Sequence, residues 1–419
     1  MLFSPAARRA AASLLLALAF ASSAFAQDLG AQWVDRIGSE LRAEKTPHEG
    51  GQFTYGAEGG VQFIYDTNIF LTENNRQGEV IWVPYARARA GYSEPQFEAE
   101  ADLEADYKYY VQTHGARKDD ERFFANIGYA GSVVGGSLIQ FVRHESDPID
   151  ALFANRVERL VTDTLPRAYV DITSVLAFEA EAVFQTVHFI EDALGDTRDN
   201  MNGRVLGSLV YRGGPLGLDY VVQGGGMWID YQNNSDVLGN PTEPPNVSGW
   251  IARGGVRGDL RPDLTVEAFV GAVGVRTDQF KLGGGTTRSG DALNTMDVSL
   301  FVRYKAIDRV VLSASYSRQV VFGFDTDPFQ VINRAEVFGE FSAMEHLKVV
   351  ARLQFDVAES DLGVKRNYGA ASLIGTYTLM QHFIVDGGVT YRGGKIYGNV
   401  AANQDYSDFI LQVGVAVAW

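Results

Sequence analysis

The stretch QFEAEADLEADYKYYVQ, residues 96–112, alternates acidic and apolar side chains at every second position. Successive side chains of a β-strand point to opposite faces, whereas a helix would distribute these charges around its circumference. The pattern therefore predicts one long strand with a charged face and an apolar face. The charged face carries Glu98, Glu100, Asp102, Glu104 and Asp106. So strict a division over such a length is typical of a strand that crosses a membrane at a tilt.

The preceding segment VIWVPYARARAGY, residues 80–92, shows the same alternation and is joined to the first stretch by the turn residues SEPQ. A hairpin register that aligns the two apolar faces also brings opposite charges together. The expected pairs are Tyr92 with Phe97, Arg89 with Glu100, and Arg87 with Asp102. In this register Glu104 and Asp106 have no basic neighbour.

Two other predicted hairpins also have complementary polar faces. Their expected pairs are Glu340 with Lys348, Glu336 with Arg352, and Arg257 with Glu267. Because the charged faces match in each hairpin, we predict that all the charged residues named so far line an aqueous pore.

The segment LQVGVAVAW, residues 411–419, has large apolar side chains at alternate positions, ending on an indole. We interpret it as the strand that closes the barrel against the first strand, with its apolar face toward lipid. An aromatic at this position resembles the signal by which the barrel assembly machinery recognises its clients, although Phe is the usual residue. The residues assigned to lipid contact and to this signal are Val413, Val415, Val417 and Trp419.

Short turns are predicted near residues 94, 133, 174, 214, 262, 307, 345 and 381. Longer polar connections such as YQNNSDVLGNPTEPPN alternate with them. Short turns at one rim and long loops at the other are typical of bacterial outer-membrane barrels. With two strands in each repeat, the sequence predicts an all-β, transmembrane antiparallel β-barrel of about 18 strands, with a short N-terminal periplasmic segment.

The first residues predict export from the cytoplasm. Arg8 and Arg9 precede an apolar run, and a small-residue cleavage site follows at 24–26, so residues 1–26 are expected to be a secretory signal peptide. Residues 27–50 form the expected periplasmic segment, in which helical spacing of apolar residues indicates either a short helix or a loosely ordered leader. Residues 51–419 are assigned to the barrel.

Composition excludes several classes of protein. There are no cysteines, so neither a disulfide framework nor a thiolate metal site is available. The formal net charge of −16 disfavours nucleic acid as a partner. A mean hydropathy of −0.08 suits a membrane barrel, because lipid-facing and lumen-facing residues average out.

The segment Tyr65-Asp66-Thr67-Asn68-Ile69-Phe70, followed by a polar loop and a second strand with Pro84, resembles the opening of a known family. This is the family of proteobacterial outer-membrane proteins named beta-barrel porin type 2. The resemblance covers the architecture from about residue 50 to residue 419. It implies a barrel of about eighteen strands, and some members of the family are linked to exopolysaccharide export.

A search for catalytic chemistry gives one weak candidate. His144 lies beside Glu145, Ser146 and Asp147 in an expected loop, where a hydrolase site is conceivable but a polar loop is the better interpretation. The acidic face of residues 98–106 could hold Ca²⁺ at some points, yet neighbouring arginines favour salt bridges. We therefore expect no catalytic residue, no cofactor and no metal.

Two functions remain, an export conduit for exopolysaccharide and a general diffusion porin for small hydrophilic solutes. Lumen aromatics that could stack on sugars, Tyr85 and Tyr110, favour export weakly, whereas an inward-folded segment that narrows the pore would favour small solutes. The expected surroundings are outer-membrane lipid and lipopolysaccharide, the barrel assembly machinery and, for export, periplasmic polysaccharide-export components.

Overall fold

The computed structural model describes residues 52–69, 77–113, 118–145, 158–190, 199–231, 246–278, 280–282, 286–288, 292–307, 309–322, 329–360, 363–379, 382–398 and 404–419. The expected signal peptide and the expected N-terminal segment lie outside these residues.

Nearly all of the described chain is β-strand, as the two-residue alternation predicts. The strands are β1 (Gln52–Asp66), β2 (Glu79–Ser93), β3 (Phe97–Tyr110), β4 (Lys118–Ala130), β5 (Val134–Glu145), β6 (Arg159–Asp171), β7 (Leu176–Phe189), β8 (Asn200–Tyr211), β9 (Asp219–Tyr231), β10 (Val247–Arg261), β11 (Leu264–Thr277), β12 (Phe280–Leu282), β13 (Thr286–Arg288), β14 (Ala292–Ile307), β15 (Val310–Phe322), β16 (Phe329–Met344), β17 (Leu347–Ser360), β18 (Val364–Leu379), β19 (Phe383–Gly398) and β20 (Gln404–Ala418).

Eighteen of these strands form one closed antiparallel sheet, and β12 and β13 form a separate two-stranded hairpin. Each barrel strand pairs with the next barrel strand along the chain, and β1 pairs with β20 from Glu58 opposite Ala418 to Asp66 opposite Ile410. Closure satisfies the backbone donors and acceptors that an open sheet edge would expose. The prediction of an antiparallel barrel of about 18 strands is therefore confirmed.

The two ends of the barrel differ in their connections. At the short-turn rim, residues 262–263 join β10 to β11 and residues 345–346 join β16 to β17. At the opposite end, the long-loop rim, the chain runs over residues 146–158 between β5 and β6 and over residues 232–246 between β9 and β10. No helix among the described residues is long and apolar enough to cross a membrane.

Two of the expected hairpin registers are wrong by two residues. Tyr92 lies opposite Ala99 rather than Phe97, and Glu340 lies opposite Val350 rather than Lys348. A slip of two residues keeps every side chain on its own face, so the alternation cannot distinguish the two registers. Turn geometry decides between them, and a register irregularity between Ser342 and Met344 marks the second turn.

Glycines concentrate on β9, β10 and β11, where neighbouring side chains lie close to the backbone. A Cβ added at Gly271 would come within 2.5 Å of Cβ of Arg253, and a Cβ added at Gly225 would come within 1.9 Å of the Val205 carbonyl oxygen. Glycine at these points allows close approach of adjacent strands and a bend in the wall.

Candidate functional site

The wall of the barrel has two chemically different faces. On β20 the alternate residues Leu411, Val413, Val415 and Val417 are exposed, whereas Gln412 between them is 4% exposed. The same alternation runs along the other strands, and the exposed side carries most of the large apolar residues of the described chain. The covered side therefore faces the interior, and its polar groups are the candidate functional surface.

On β3 the five acidic residues Glu98, Glu100, Asp102, Glu104 and Asp106, here called the acid ladder, follow one another along the inner face. Arg87 donates from Nε to both carboxylate oxygens of Asp102, at 2.7 and 2.8 Å. Arg89 contributes a second ion pair to Asp102, at 3.3 Å from Nε. The diagonal pair of Arg87 with Asp102 forms although Arg87 lies directly opposite Glu104.

The expectation that Glu104 and Asp106 have no basic neighbour is wrong. Arg122 of β4 approaches both, with Nη1 at 3.1 Å from Glu104 Oε1 and at 3.9 Å from Asp106 Oδ2. Arg122 lies one strand beyond the β2–β3 hairpin, so the pattern of that hairpin alone could not predict it. Farther toward the long-loop rim, Lys108 Nζ lies 2.6 Å from Asp120 Oδ2 in a buried ion pair.

Strands β16 and β17 carry a second paired region. Arg352 donates to Glu336 at 2.8 Å, and Arg334 holds both oxygens of Asp356 at 2.8 Å. The first contact is diagonal, because the register places Arg352 opposite Phe338. Glu340 and Lys348 share the inner face of this hairpin but are offset from each other by two positions.

A third charged region spans β7 to β14. Arg257 lies opposite Glu267 on the next strand, and its guanidinium donates to Glu179 of β7. Arg253 donates to Gln223 at 2.5 Å and lies 3.3 Å from Asp297. Only Arg257 and Glu267 were expected here from the sequence, although the inner positions of β7 and β14 follow from the same alternation.

The third region brings together side chains from strands that are not neighbours. Neighbouring strands lie about 4.8 Å apart, so β7 and β10 would be about 14 Å apart on a flat sheet. Arg257 and Glu179 meet across β8 and β9 because both side chains are long and the wall of a closed barrel curves toward its interior. Arg253 lies over the ring of Phe269, on the next strand, at 5.0 Å.

The segment that carries the family resemblance lies at the seam between β1 and β20. Thr67 Oγ1 donates to Asp408 Oδ1 at 3.1 Å and accepts from the Phe409 N–H at 2.8 Å. Asn68 is fully buried, and its side-chain amide donates to the Ser407 carbonyl at 3.2 Å. These contacts join the first strand to the last.

Asp66 completes this group of contacts. Its Oδ1 accepts the Asn68 backbone N–H at 2.8 Å, which fixes the turn that follows β1. Arg392 of β19 donates to Asp408 at 2.8 Å and lies 3.7 Å from Asp66 Oδ2. Asp66, Thr67, Asn68, Arg392 and Asp408 together are called the seam clasp below.

Near the long-loop rim, the inner face of β9 to β11 is apolar. One buried cluster, here called the mouth cluster, contains Met227, Ile229, Tyr231, Val247, Val273, Val275, Val320 and Phe329. Val320 has the parity of the outward residue Tyr316, yet it is 8% exposed and shares this cluster with inner residues of β9 to β11. The described ends of β15 and β16, at Val320 and Phe329, therefore pack against the inner face of β9 to β11 at the mouth.

His144 is the penultimate residue of strand β5 and does not lie in a loop, which corrects the sequence expectation. Its Nδ1 is 2.9 Å from Glu121 Oε2 and its Nε2 is 2.9 Å from Glu158 Oε1. Ser146 and Asp147, the residues expected to act with it, lie outside the described chain. Glu121 lies on β4 and Glu158 directly before β6, so the spacing of residues along the sequence could not predict that they contact His144.

No family model and no curated protein matches the chain. Solved membrane barrels are similar in fold. OccK1 (OpdK) from Pseudomonas aeruginosa has a TM-score of 0.46 and 10% identity, over 87% of this chain and 99% of that chain. The copper transporter OprC (TM-score 0.43, 11% identity) covers 84% of this chain, and the FrpB iron transporter from Neisseria meningitidis (TM-score 0.42, 11% identity) covers 86%. This chain spans 63% and 64% of the lengths of those two proteins.

Proposed function

We propose that the chain forms a pore in the bacterial outer membrane and passes small hydrophilic solutes, favouring cations. The observation that carries this proposal is the division of the closed wall into an exposed apolar face and an inner charged face. A soluble protein that exposed so much apolar surface would associate through it. In a bilayer that surface contacts lipid, and the polar face surrounds water.

The dimensions of the outer face support a membrane location. Outward aromatic residues lie ten positions apart on several strands, with small or aliphatic residues between them. The pairs are Trp82 and Tyr92, Phe97 and Tyr107, and Phe409 and Trp419. Ten residues at about 3.3 Å, tilted by about 40–45°, span about 25 Å, which is the height of the apolar band of outer-membrane barrels. The two aromatic levels correspond to the two interfaces of a membrane.

The inner face supports transport of water-soluble cargo. A barrel of 18 strands is wide enough to leave an aqueous channel. Charged side chains line it on many strands, and the acid ladder of β3 contacts Arg87, Arg89 and Arg122. Over the whole chain 52 acidic residues outnumber 36 lysines and arginines. An excess of carboxylates raises the local concentration of cations and repels anions.

The packing at the mouth and the contacts of two tyrosines favour small solutes over a polymer as the cargo. The ends of β15 and β16 pack inside the wall through Val320 and Phe329, which leaves less room there for a chain of sugars. Tyr110 is completely buried beside Ile81 and Val83, and Tyr85 donates to Glu58 at 2.6 Å. Tyr110 has no ring face free for a passing sugar, so the aromatic support for export is weakened.

Orientation and partners belong to the same proposal. The short-turn rim faces the periplasm and the long-loop rim faces the exterior, as in other barrels with this asymmetry. Lipopolysaccharide then surrounds the long-loop end, and export and insertion depend on residues 1–26 and on the assembly machinery. Transport, and not catalysis, is the proposed activity.

Conductance in a planar bilayer tests the proposal. The folded protein should give stepwise conductance increases and, under a salt gradient, a reversal potential of the sign for a cation-selective channel. That preference should decrease at high salt because screening shortens the reach of the carboxylates. Protein that was heat-denatured before addition is the control. Absence of steps from verified folded protein, or anion selectivity, would contradict the proposal.

A further inference from the structure

A group of titratable side chains lies on the outside of the barrel, at the long-loop rim. Asp119 and Glu121 of β4 have the same parity as the exposed residue Phe123, so they point away from the lumen. His144 of β5 lies opposite Glu121, and Glu158 directly precedes β6. These four residues, Asp119, Glu121, His144 and Glu158, are called the rim cluster.

The rim cluster has the geometry of a metal site. One ligand atom from each of Asp119, Glu121 and His144 lies within 4.8 Å of the other two. An ion about 2.0–2.2 Å from each ligand atom requires these atoms to approach by a small rotation of exposed side chains. The Glu121 side chain is 54% exposed, so it has room to make that adjustment, whereas the imidazole is 16% exposed and held in place.

The second nitrogen of His144 gives an independent indication. Its Nε2 lies 2.9 Å from Glu158 Oε1, while Nδ1 lies 2.9 Å from Glu121 Oε2. Metal-binding histidines characteristically bond a carboxylate through the nitrogen that does not bind the metal, and this bond fixes the ring orientation. Glu158 is therefore placed as the residue that positions the imidazole, and Nδ1 as the ligand.

Other outward charges near this rim are arranged differently. Lys365 Nζ lies 3.0 Å from Glu359, and Lys395 Nζ lies 3.1 Å from Asp405, so each of these carboxylates meets an ammonium group. In the rim cluster two carboxylates contact one imidazole, and the ligand atom of a third, Asp119, lies within 4.8 Å of it. Like charges on adjacent strands repel each other, and a dication would neutralise them.

We propose that Asp119, Glu121 and His144 bind a divalent first-row transition-metal ion, with Zn²⁺ preferred over Ca²⁺. One imidazole nitrogen and two carboxylate oxygens are a usual ligand set for Zn²⁺, whereas Ca²⁺ takes six to eight oxygens. Water completes the coordination on the open outer side. This assignment departs from the sequence expectation of no metal and does not depend on whether the barrel conducts.

Titration calorimetry with ZnCl₂ on the folded, tag-free protein in a zwitterionic detergent measures the site directly. We expect saturable binding of one Zn²⁺ by the rim cluster and much weaker binding of Ca²⁺. The double variant Asp119→Asn/Glu121→Gln and the variant His144→Gln should each weaken Zn²⁺ binding at least tenfold. Glu158→Gln should weaken it by about 10- to 100-fold, the range for carboxylates that orient a metal-binding histidine.

Two matched controls separate the rim cluster from general surface binding. His188→Gln removes another outward histidine, which contacts the single carboxylate of Asp199 at 2.5 Å, and Glu359→Gln removes an outward carboxylate with a lysine partner. Neither should change Zn²⁺ affinity. Heat-dependent gel mobility verifies that every variant is folded.

Co²⁺ gives a second readout, because its visible absorption reports coordination by nitrogen and oxygen. The Co²⁺ spectrum of the wild type should disappear in His144→Gln. No saturable Zn²⁺ binding by the folded wild type, or unchanged binding in both His144→Gln and the double variant, would overturn the proposal. Equal affinity for Ca²⁺ and Zn²⁺ with no effect of His144→Gln would also overturn it, because the imidazole would then not be a ligand.

Discussion

Charge compensation along the acid ladder is uneven at the level of single residues. Among its described contacts, the Glu98 carboxylate accepts one hydrogen bond, at 3.3 Å from the neutral side-chain amide of Asn126. The Glu98 end of the ladder, toward the short-turn rim, is thus where we expect a carboxylate to contribute most to the negative field in the lumen.

The variant Glu98→Gln should lower the ratio of cation to anion permeability by about 1.5-fold, since one carboxylate is lost from the wall and its described hydrogen-bond partner is the neutral Asn126 amide. The reversal potential under a salt gradient measures this ratio. The control is Glu359→Gln on the outer face, which should leave the potential unchanged. An unchanged potential in Glu98→Gln would show that this part of the wall does not face the ion path.

The Thr67 hydroxyl is the second residue with a sharp prediction. Thr67→Val keeps the shape of the side chain but removes both bonds that the hydroxyl makes at the seam, to Asp408 and to the Phe409 N–H. We expect a loss of about 1–3 kcal/mol, because the buried Asp408 carboxylate loses a donor and the Phe409 N–H loses its acceptor. Denaturant titration followed by tryptophan fluorescence measures it. Thr186→Val on the exposed face of β7 is the matched control, and equal losses in the two variants would contradict the role of the seam clasp.

At the scale of whole strands, the two faces of the wall predict opposite responses to the same substitution. Val413→Arg places a charge near the middle of the outer apolar face and should cost roughly 2–4 kcal/mol. Ser315→Arg places it on the half-exposed inner face of β15 and should be tolerated. The yield of heat-modifiable protein in the outer membrane measures both. Similar losses for the two variants would show that the faces are assigned the wrong way round.

The glycine-rich strands give a further contrast. A Cβ at Gly271 would meet the Ala252 carbonyl oxygen at 2.1 Å, whereas at Gly224 the nearest atom is 3.7 Å away. Gly271→Ala should therefore destabilise the barrel by about 1–3 kcal/mol through overpacking, and Gly224→Ala should have little effect. Denaturant midpoints of the two folded variants give the comparison. A smaller effect at Gly271 would show that β10 and β11 can separate without loss of pairing.

The sequence is sufficient for the strands, their faces and the positions of the short turns, because all three follow from a period of two and its interruptions. It is insufficient for the registers of β2–β3 and β16–β17, since a slip of two residues preserves every face. The contact of Arg257 with Glu179 could not be predicted either, because it depends on how sharply the wall bends between β7 and β10. Arg122 on β4 likewise lies one strand outside the β2–β3 hairpin, and the carboxylates that contact His144 lie on β4 and directly before β6, so the pattern within one hairpin could not predict either set of contacts.

At the scale of the whole molecule, one circuit of hydrogen bonds runs around the barrel, and its integrity depends on every strand. Seventeen of the pairings join strands that follow each other along the chain, and the pairing of β1 with β20 closes the circuit. Closed barrels of this kind keep their fold in detergent until heated. We expect unboiled and boiled protein to migrate differently on a gel, and identical migration of membrane-extracted protein would contradict the closed circuit.

The seam clasp also has a consequence for the order in which the barrel assembles. Thr67 and Asp408 are separated by 341 residues along the chain, whereas Arg87 and Asp102 are separated by 15. Bringing the distant pair together costs about 3 kcal/mol more chain entropy than closing the hairpin. The clasp offers several hydrogen bonds at the point where that cost is greatest, so it favours keeping the two ends of the chain together once they have met. The strength of these hydrogen bonds would then determine how often the finished barrel opens between β1 and β20.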